Sequence, residues 1–103
     1  MADIVFRPIA LRDLQRIGHH IAREDATAAR RFRNAIIRRI NVLRQFPESA
    51  RPRPEFGPGI RTIPIGRYIV ILRVELPKVI VLRIVHGARD LPRLVKSFRQ
   101  PNP

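Results

Sequence analysis

The sequence predicts an α+β fold in which an antiparallel helical hairpin packs on a mainly antiparallel sheet, with an N-terminal strand before the hairpin and a short C-terminal helix after the sheet. Three observations lead to this prediction. Apolar residues recur at helical spacing through the first half of the chain, a proline- and glycine-rich connector follows, and three strand-like runs fill most of the second half. The 103 residues suit one domain over 1–103, with residues 99–103 expected to fray.

The first half of the chain begins with a short strand, "DIVFR" at residues 3–7, whose β-branched and aromatic side chains favour extended backbone. Pro8 suits the first turn of a helix. The apolar stripe of this helix consists of Ala10, Leu14, Ile17 and Ile21. Asp25 is placed to cap a second helix, which ends near Pro47. The stripe of the second helix consists of Ala29, Phe32, Ile36, Ile40 and Leu43. Because so few residues separate the helices, they are expected to form an antiparallel hairpin.

The second half starts with a connector at residues 46–60 that has no periodicity of its own. Strands are predicted at residues 60–65, 67–74 and 78–86. Gly66 is expected in the first turn and Leu76–Pro77 in the second, which joins the last two strands as a hairpin. Pro64 favours a sheet edge or a strand end. A short helix is predicted at residues 90–98.

A two-residue turn at Leu76–Pro77 predicts the register of the last hairpin, with Val74 opposite Val79 and Val70 opposite Arg83. In that register one face is purely aliphatic apart from its ends, and it is expected to pack on the helices. Its members are Ile69, Ile71, Ile80, Leu82 and Ile84. Arg83 is then expected on the opposite, less covered face together with Tyr68.

The charge balance is strongly basic. Lys and Arg number 21 against 8 Asp and Glu, for a net charge of +13, and arginine predominates over lysine. Such an excess favours a polyanion or an acidic protein as partner, although general replacement of lysine by arginine in a small basic protein is an alternative explanation. The chain has no cysteine, no apolar run near the ~20 residues of a membrane span, and no signal-peptide pattern at its start. A cytoplasmic protein without a membrane partner is expected.

Arginines dominate the candidate functional positions. Arg83 interrupts an otherwise aliphatic strand, which suits an anion-binding residue but also a surface arginine lying over apolar neighbours. His86 could act as an acid or base at neutral pH, with a packing role as the alternative. Asp90 is expected to pair with Arg89 or to cap the last helix. The residues expected to bind a macromolecular partner are Arg61, Arg67, Tyr68, Arg73, Arg83, His86, Arg89 and Arg93.

No cofactor and no metal site is expected. The adjacent His19 and His20 would point about 100° apart on a helix, which makes them a poor pair of ligands. Carboxylate pairs, glycine-rich phosphate loops and serine-based catalytic sets do not stand out in the sequence.

Four segments in order resemble the ParE/RelE toxin superfamily of bacterial type II toxin–antitoxin systems. "ALRDLQRIGHHIARED" resembles the family's first helix and "AARRFRNAIIRRINVLRQFPES" its second. "GIRTIPIGRYIVILRVE" is similar to the strand block that contains Arg61, Gly66, Arg67 and Tyr68, and "VIVLRIVHGARD" resembles the terminal strand with the ending common on the ParE side. Together they cover nearly the whole chain.

The resemblance implies one of two activities. ParE-like members bind DNA gyrase and trap its cleaved DNA complex, whereas RelE-like members are ribosome-dependent endoribonucleases that cut messenger RNA. For a ribonuclease the candidate catalytic set is Arg61, Arg83 and His86, but Tyr68 is the only tyrosine, and no tyrosine lies near the C terminus. The ParE-like function is therefore favoured, with a cognate antitoxin and DNA gyrase as partners and a hetero-oligomer with the antitoxin. The alternatives are a ribonuclease acting on the ribosome and mRNA, and a degenerate member without toxicity.

Overall fold

The computed structural model describes residues 1–99. The tail expected to fray at residues 99–103 lies outside the described residues except for Arg99, which ends the last helix. The elements, in chain order, are β1 Asp3–Phe6, α1 Pro8–Glu24, α2 Ala26–Gln45, β2 Arg51–Pro52, a 3-10 turn Pro54–Phe56, β3 Ile60–Ile65, β4 Tyr68–Glu75, β5 Lys78–His86 and α3 Gly87–Arg99. This architecture confirms the predicted fold class.

The five strands form one sheet in the order β1-β5-β4-β3-β2. β1 runs parallel to β5, and the other neighbours are antiparallel. The chain turns from β3 to β4 through Gly66, whose φ of 58° is a left-handed conformation that favours glycine. It turns from β4 to β5 through Leu76–Pro77. Both turns lie where the sequence predicted them.

The helical hairpin packs on one face of the sheet. Pro8 is in the first turn of α1, where its missing N–H costs nothing. Asp25 separates the helices, and its carboxylate accepts from Ala28 N at 3.1 Å, so the predicted cap of α2 is confirmed. The first core, between hairpin and sheet, includes the helix residues Ala10, Ile17, Phe32, Ile36 and Leu43. These belong to the two predicted apolar stripes.

The predicted register of the β4–β5 hairpin is correct near the turn and wrong beyond it. Val74 pairs with Val79, but a β-bulge lies at the Ile71/Leu72 position, where Leu72 pairs with Val81 and Ile71 pairs with Arg83. The prediction placed Arg83 opposite Val70. A bulge inserts one extra residue in one strand, which shifts every later pair by one.

The predicted assignment of the sheet faces is also wrong. The residues that face the helices include Tyr68, Val70, Leu72, Val81 and Ile84, so Ile84 alone of the predicted helix-facing set lies there. The opposite face is not open. It holds a second core formed by Phe56, Ile60, Ile69, Ile71, Ile80, Leu82, Val85, Leu91 and Leu94, to which the 3-10 turn and α3 contribute. Both faces are aliphatic, so alternation alone could not distinguish them.

The last helix begins earlier than predicted, at Gly87 instead of residue 90. Gly87 N donates to Arg67 O at 2.9 Å, which ties the start of α3 to the β3–β4 turn. A Cβ at Gly87 would lie 3.0 Å from Ile69 Cδ1, so a glycine suits this close approach. The residues from His86 to Asp90 therefore form the junction between β5 and the first turn of α3. No helix in residues 1–99 is long and apolar enough to cross a membrane.

Candidate functional site

Asp13 on α1 is the centre of a buried charge cluster. Its side chain is 1% exposed, and it accepts two hydrogen bonds from Arg83, Nε to Oδ2 at 2.8 Å and Nη2 to Oδ1 at 3.1 Å. Arg16 Nη2 donates to Oδ1 at 3.0 Å. The main-chain N–H of Ile84 donates to Oδ2 at 3.0 Å. All four bonds join α1 to itself or to β5, so one carboxylate holds the helix on the strand.

The end of β1 explains why a carboxylate is needed at this point. β1 pairs with β5 only as far as Val81, and a buried backbone N–H without a partner is costly. Asp13 accepts the Ile84 N–H beyond the end of that pairing. The hydrogen bonds from Arg83 to this carboxylate raise the pKa of Arg83 against the opposing effect of its own burial. Arg83 is thus a charged residue whose carboxylate partner lies within the fold.

His86, at the end of β5, links the sheet to α3. Its Nδ1 accepts the main-chain N–H of Arg89 at 3.2 Å, so the imidazole caps the first turn of the helix. Tyr68 pairs with His86 across the strands, and their ring centroids are 5.6 Å apart in an edge-to-face arrangement. The ring of Phe32 on α2 also packs edge-to-face against Tyr68, and the centroids of these two rings are 5.4 Å apart.

Arg89 and Asp90 form an ion pair in the first turn of α3, with Nε 3.2 Å from Oδ1. This hydrogen bond is the main cause of the lowered pKa of the Asp90 carboxyl. Burial opposes it, and the charges of Arg89 and Arg93 lower the pKa further. The pairing matches the role expected for Asp90 from the sequence. The Arg89 side chain remains 69% exposed, so its guanidinium keeps donors that face solvent.

A cleft of about 460 Å³ lies between α1 and α3 at the end of β5. The residues that line it are Arg16, Arg83, Val85, Arg89, Asp90, Arg93, Leu94 and Ser97; we call it the arginine cleft. It adjoins a smaller hollow of about 160 Å³, the His86 hollow, lined by Arg16, Ile17, His20, Tyr68, Val85, His86, Arg89 and Asp90. The two spaces share four lining residues, so they are adjacent.

A third depression, the hairpin groove, lies beside the β3–β4 turn. It has a volume of about 480 Å³ and is lined mainly by α1, α2 and that turn. Its apolar lining includes Ile21, Phe32, Ile65 and Tyr68. Arg31 and Arg67 contribute positive charge to the groove, and Glu24 and Asp25 contribute negative charge.

The residues predicted to bind a target or an antitoxin lie on different parts of the surface. Five of them line the arginine cleft or the His86 hollow: Tyr68, Arg83, His86, Arg89 and Arg93. Arg67 lies on the hairpin groove instead. Arg61 donates to Glu48 O at 2.9 Å and to Ala50 O at 2.8 Å, which fastens β3 to the connector after α2. Arg73 forms an ion pair with Glu75 on the same strand, with Nη1 3.9 Å from Oε1.

Sequence reasoning missed Asp13 and Arg16 as members of the site. A usable signal was present, because Asp13 lies three residues after Ala10 and four before Ile17, on the apolar stripe of α1. A carboxylate on a buried stripe requires a cation, and an arginine within an aliphatic strand requires an anion. Those two requirements, taken together, are the signal in the sequence that pairs Asp13 with Arg83.

The fold and the site together define a small, strongly basic α+β protein in which aspartates hold arginines around a cleft between two helices. A sequence profile of the family described as "ParE toxin of type II toxin-antitoxin system, parDE" matches residues 4–91. Since this is most of the chain, the protein belongs to the ParE toxin family. The resemblance found in the sequence is thereby confirmed.

Comparison with solved structures agrees with this assignment. A structure described as "Chromosomal ParDE TA system from P. aeruginosa" has a TM-score of 0.69 to this chain at 24% sequence identity, and it covers 84% of this chain and 96% of that chain. At this identity the likeness supports the fold. No curated protein sequence matches the chain.

Proposed function

We propose that this member of the ParE toxin family binds DNA gyrase and blocks replication, and that a cognate antitoxin neutralises it by covering its basic surfaces. Family membership supports the toxin role and an antitoxin partner. Gyrase is the target that resemblance to the ParE side implies. A protein that acts on gyrase would meet it in the cytoplasm, where the chromosome lies.

The contacts made by the three candidate catalytic residues favour a binding function over RNA cleavage. Arg61 uses its guanidinium on two main-chain carbonyls near the start of β2. Arg83 is held by Asp13, and His86 uses Nδ1 to cap α3. Arg61 also lies two strands away from β5, which is about 10 Å in a sheet. Three residues occupied in this way are poorly placed to surround one reacting phosphodiester, whereas a gyrase-binding toxin needs only a surface.

The hairpin groove suits an antitoxin segment. Its apolar lining can take the anchor residues of an amphipathic helix, a common mode of recognition. The net charge of +13 would attract an acidic segment and make its association fast and sensitive to salt. We therefore expect the antitoxin to place the apolar face of an amphipathic segment in this groove and its acidic residues on the basic surfaces elsewhere on the chain.

The proposal is tested with purified gyrase and relaxed plasmid in the presence of ATP. We expect the protein to inhibit supercoiling and to accumulate linear DNA after denaturation of the cleavage complex, and we expect the cognate antitoxin to abolish both effects. If supercoiling is unaffected at a large molar excess of folded protein and messages are cleaved in a translating extract, a ribonuclease function replaces this one. No effect in either assay would indicate a member without toxicity.

His86→Ala provides an internal test of the same proposal. If His86 mainly caps α3 and packs against Tyr68, the variant should retain gyrase inhibition as long as it remains folded. His19→Ala is a matched control, because His19 is an exposed histidine on α1 that lines neither the cleft nor the hollow. Complete loss of toxicity in a folded His86 variant, with the His19 variant unchanged, would contradict a mainly structural role for His86.

A further inference from the structure

The arginine cleft retains positive charge after its internal ion pairs are formed. Asp13 is shared between Arg16 and Arg83, and Asp90 pairs with Arg89. Four arginines against two aspartates leave the cleft with a net charge of +2. Among residues 1–99, no carboxylate forms a salt bridge with Arg93. The cleft is therefore matched to an external anion.

The available donors converge on the cleft from both of its helices. Arg16 on α1 gives one N–H to Asp13, its side chain is 68% exposed, and a guanidinium has five N–H donors. Arg93 and Ser97 line the cleft from α3. Planar guanidinium groups bind phosphate through two parallel hydrogen bonds. Arg16 and Arg93 can thus approach one tetrahedral anion from opposite walls.

The His86 hollow gives the anion site an aromatic neighbour. Tyr68, His86 and His20 line it, and it adjoins the cleft, with which it shares four lining residues. Proteins that bind single-stranded nucleic acids combine a positive groove for the backbone with aromatic side chains for the unstacked bases. A carboxylate of an acidic peptide would use the arginines but would leave the aromatic hollow without a function.

We propose that the arginine cleft binds a backbone phosphate of a single-stranded nucleic acid, with an adjacent unpaired base entering the His86 hollow. Arg16 and Arg93 contact the phosphate. Asp13 and Asp90 act as positioning residues, because they fix the guanidinium groups of Arg83 and Arg89 on the walls of the cleft. This site is independent of the choice of gyrase as target, since its test contains no gyrase and the gyrase assay requires no free oligonucleotide.

The test measures fluorescence anisotropy of a labelled single-stranded DNA of about 12 nucleotides, titrated with the full chain between roughly 50 and 200 mM salt. The cleft variant is R16Q/R93Q. The matched control is R33Q/R38Q, which removes the same charge from exposed positions on α2 that line neither space. We expect the cleft variant to weaken binding about tenfold or more and to reduce the salt slope by about 0.7, the value for one neutralised phosphate on a single strand. The control should lose about threefold or less.

Two further measurements make the test specific. R16K/R93K keeps the charge but lacks the planar fork, and it should fall between the wild type and R16Q/R93Q. Duplex of the same length carries more charge, so preference for the single strand supports entry of an unpaired base. Circular dichroism and thermal unfolding check that each variant is folded. R93Q alone is a second cleft variant that leaves Asp13 and its partners intact.

Three results would overturn the proposal. Equal losses in the cleft and control variants would show attraction by general charge only. Preference for the duplex would exclude a role for the His86 hollow. Equal competition by a glutamate-rich peptide of matched charge would identify carboxylate instead of phosphate as the ligand.

Discussion

Replacing Asp13 by alanine is expected to lower the free energy of unfolding by about 4 kcal/mol. The carboxylate is buried and accepts four hydrogen bonds, from Arg83, Arg16 and Ile84. Removing one partner of a buried ion pair costs about 3–5 kcal/mol, because the other charge is left without compensation. Because the Arg83 side chain is 24% exposed, the cost of leaving its charge unpaired is expected near the lower end of this range. The unsatisfied Ile84 N–H adds about 1 kcal/mol or more.

The measurement is guanidinium chloride unfolding followed by circular dichroism, with the midpoint and slope compared between variants. Asp13→Asn should lose about 2 kcal/mol, because an amide oxygen can still accept one hydrogen bond while the charge is gone. Asp3→Asn is the control, since Asp3 is exposed and its side chain forms no hydrogen bond or salt bridge within residues 1–99. Its effect should stay within about 0.5 kcal/mol.

A double variant distinguishes the net contribution of the Asp13–Arg83 ion pair from the cost of leaving Arg83 as an unpaired charge. Asp13→Leu leaves Arg83 as an uncompensated charge, whereas Asp13→Leu combined with Arg83→Met removes both charges and fills similar space. The double variant is expected to be more stable than Asp13→Leu alone. A loss below about 1 kcal/mol for Asp13→Ala, in a two-state transition with unchanged slope, would refute the view that this carboxylate holds α1 on β5.

Three further changes test separate parts of the fold. Asp25→Ala should cost about 1 kcal/mol in thermal unfolding because it removes the cap of α2; no measurable change would contradict the capping role. Gly87→Ala should cost up to about 1 kcal/mol, since the new Cβ would lie 3.0 Å from Ile69 Cδ1 and that side chain must move by a few tenths of an ångström; a more stable variant would show that Ile69 gives way freely. The lowered pKa of Asp90 means that its stabilising effect is present above the ordinary carboxyl pKa and is lost as the pH falls through the folded-state value. Asp90→Asn should therefore reduce stability near about pH 6, and this loss should shrink as the pH falls below the ordinary carboxyl range; a loss that does not shrink would exclude ionic pairing.

Some arginines bind groups within the chain and others are available to a ligand, and this difference matters for any functional experiment on this protein. Arg61 and Arg83 bind groups of their own chain, so their substitution is expected to affect stability together with any binding. Within residues 1–99, Arg93 forms no salt bridge, and the Arg16 side chain is 68% exposed although it pairs with Asp13, so we expect both to be available to an external ligand. Alanine scans that count all arginines alike would therefore confuse unfolding with loss of function, and each such variant needs its own unfolding curve.

Local sequence signals predicted most of the secondary structure. The apolar stripes of α1 and α2, the cap at Asp25 and the turns at Gly66 and Leu76–Pro77 all depend on contacts within a few residues, and all are present in the fold. The start of α3 was predicted three residues late. Its capping acceptor is the His86 side chain, and a histidine is not among the residues that ordinarily signal a helix start.

The sequence by itself determined the order of the three helices and the four longer strands, the antiparallel helical hairpin, the strong positive charge and the family resemblance, because these follow from periodicity, turn residues and composition. It did not predict β2 or the 3-10 turn, which lie in the segment expected to be a connector. Tertiary structure decided which sheet face meets the helices and which arginines are free. The bulge opposite Ile71 and Leu72 shifts the register within strands that are aliphatic on both sides, so alternation could not reveal it. The ion pair between Asp13 and Arg83 joins residues 70 positions apart. Only the packing of α1 against the end of β5 brings those charges together and leaves the cleft beside them open to an anion.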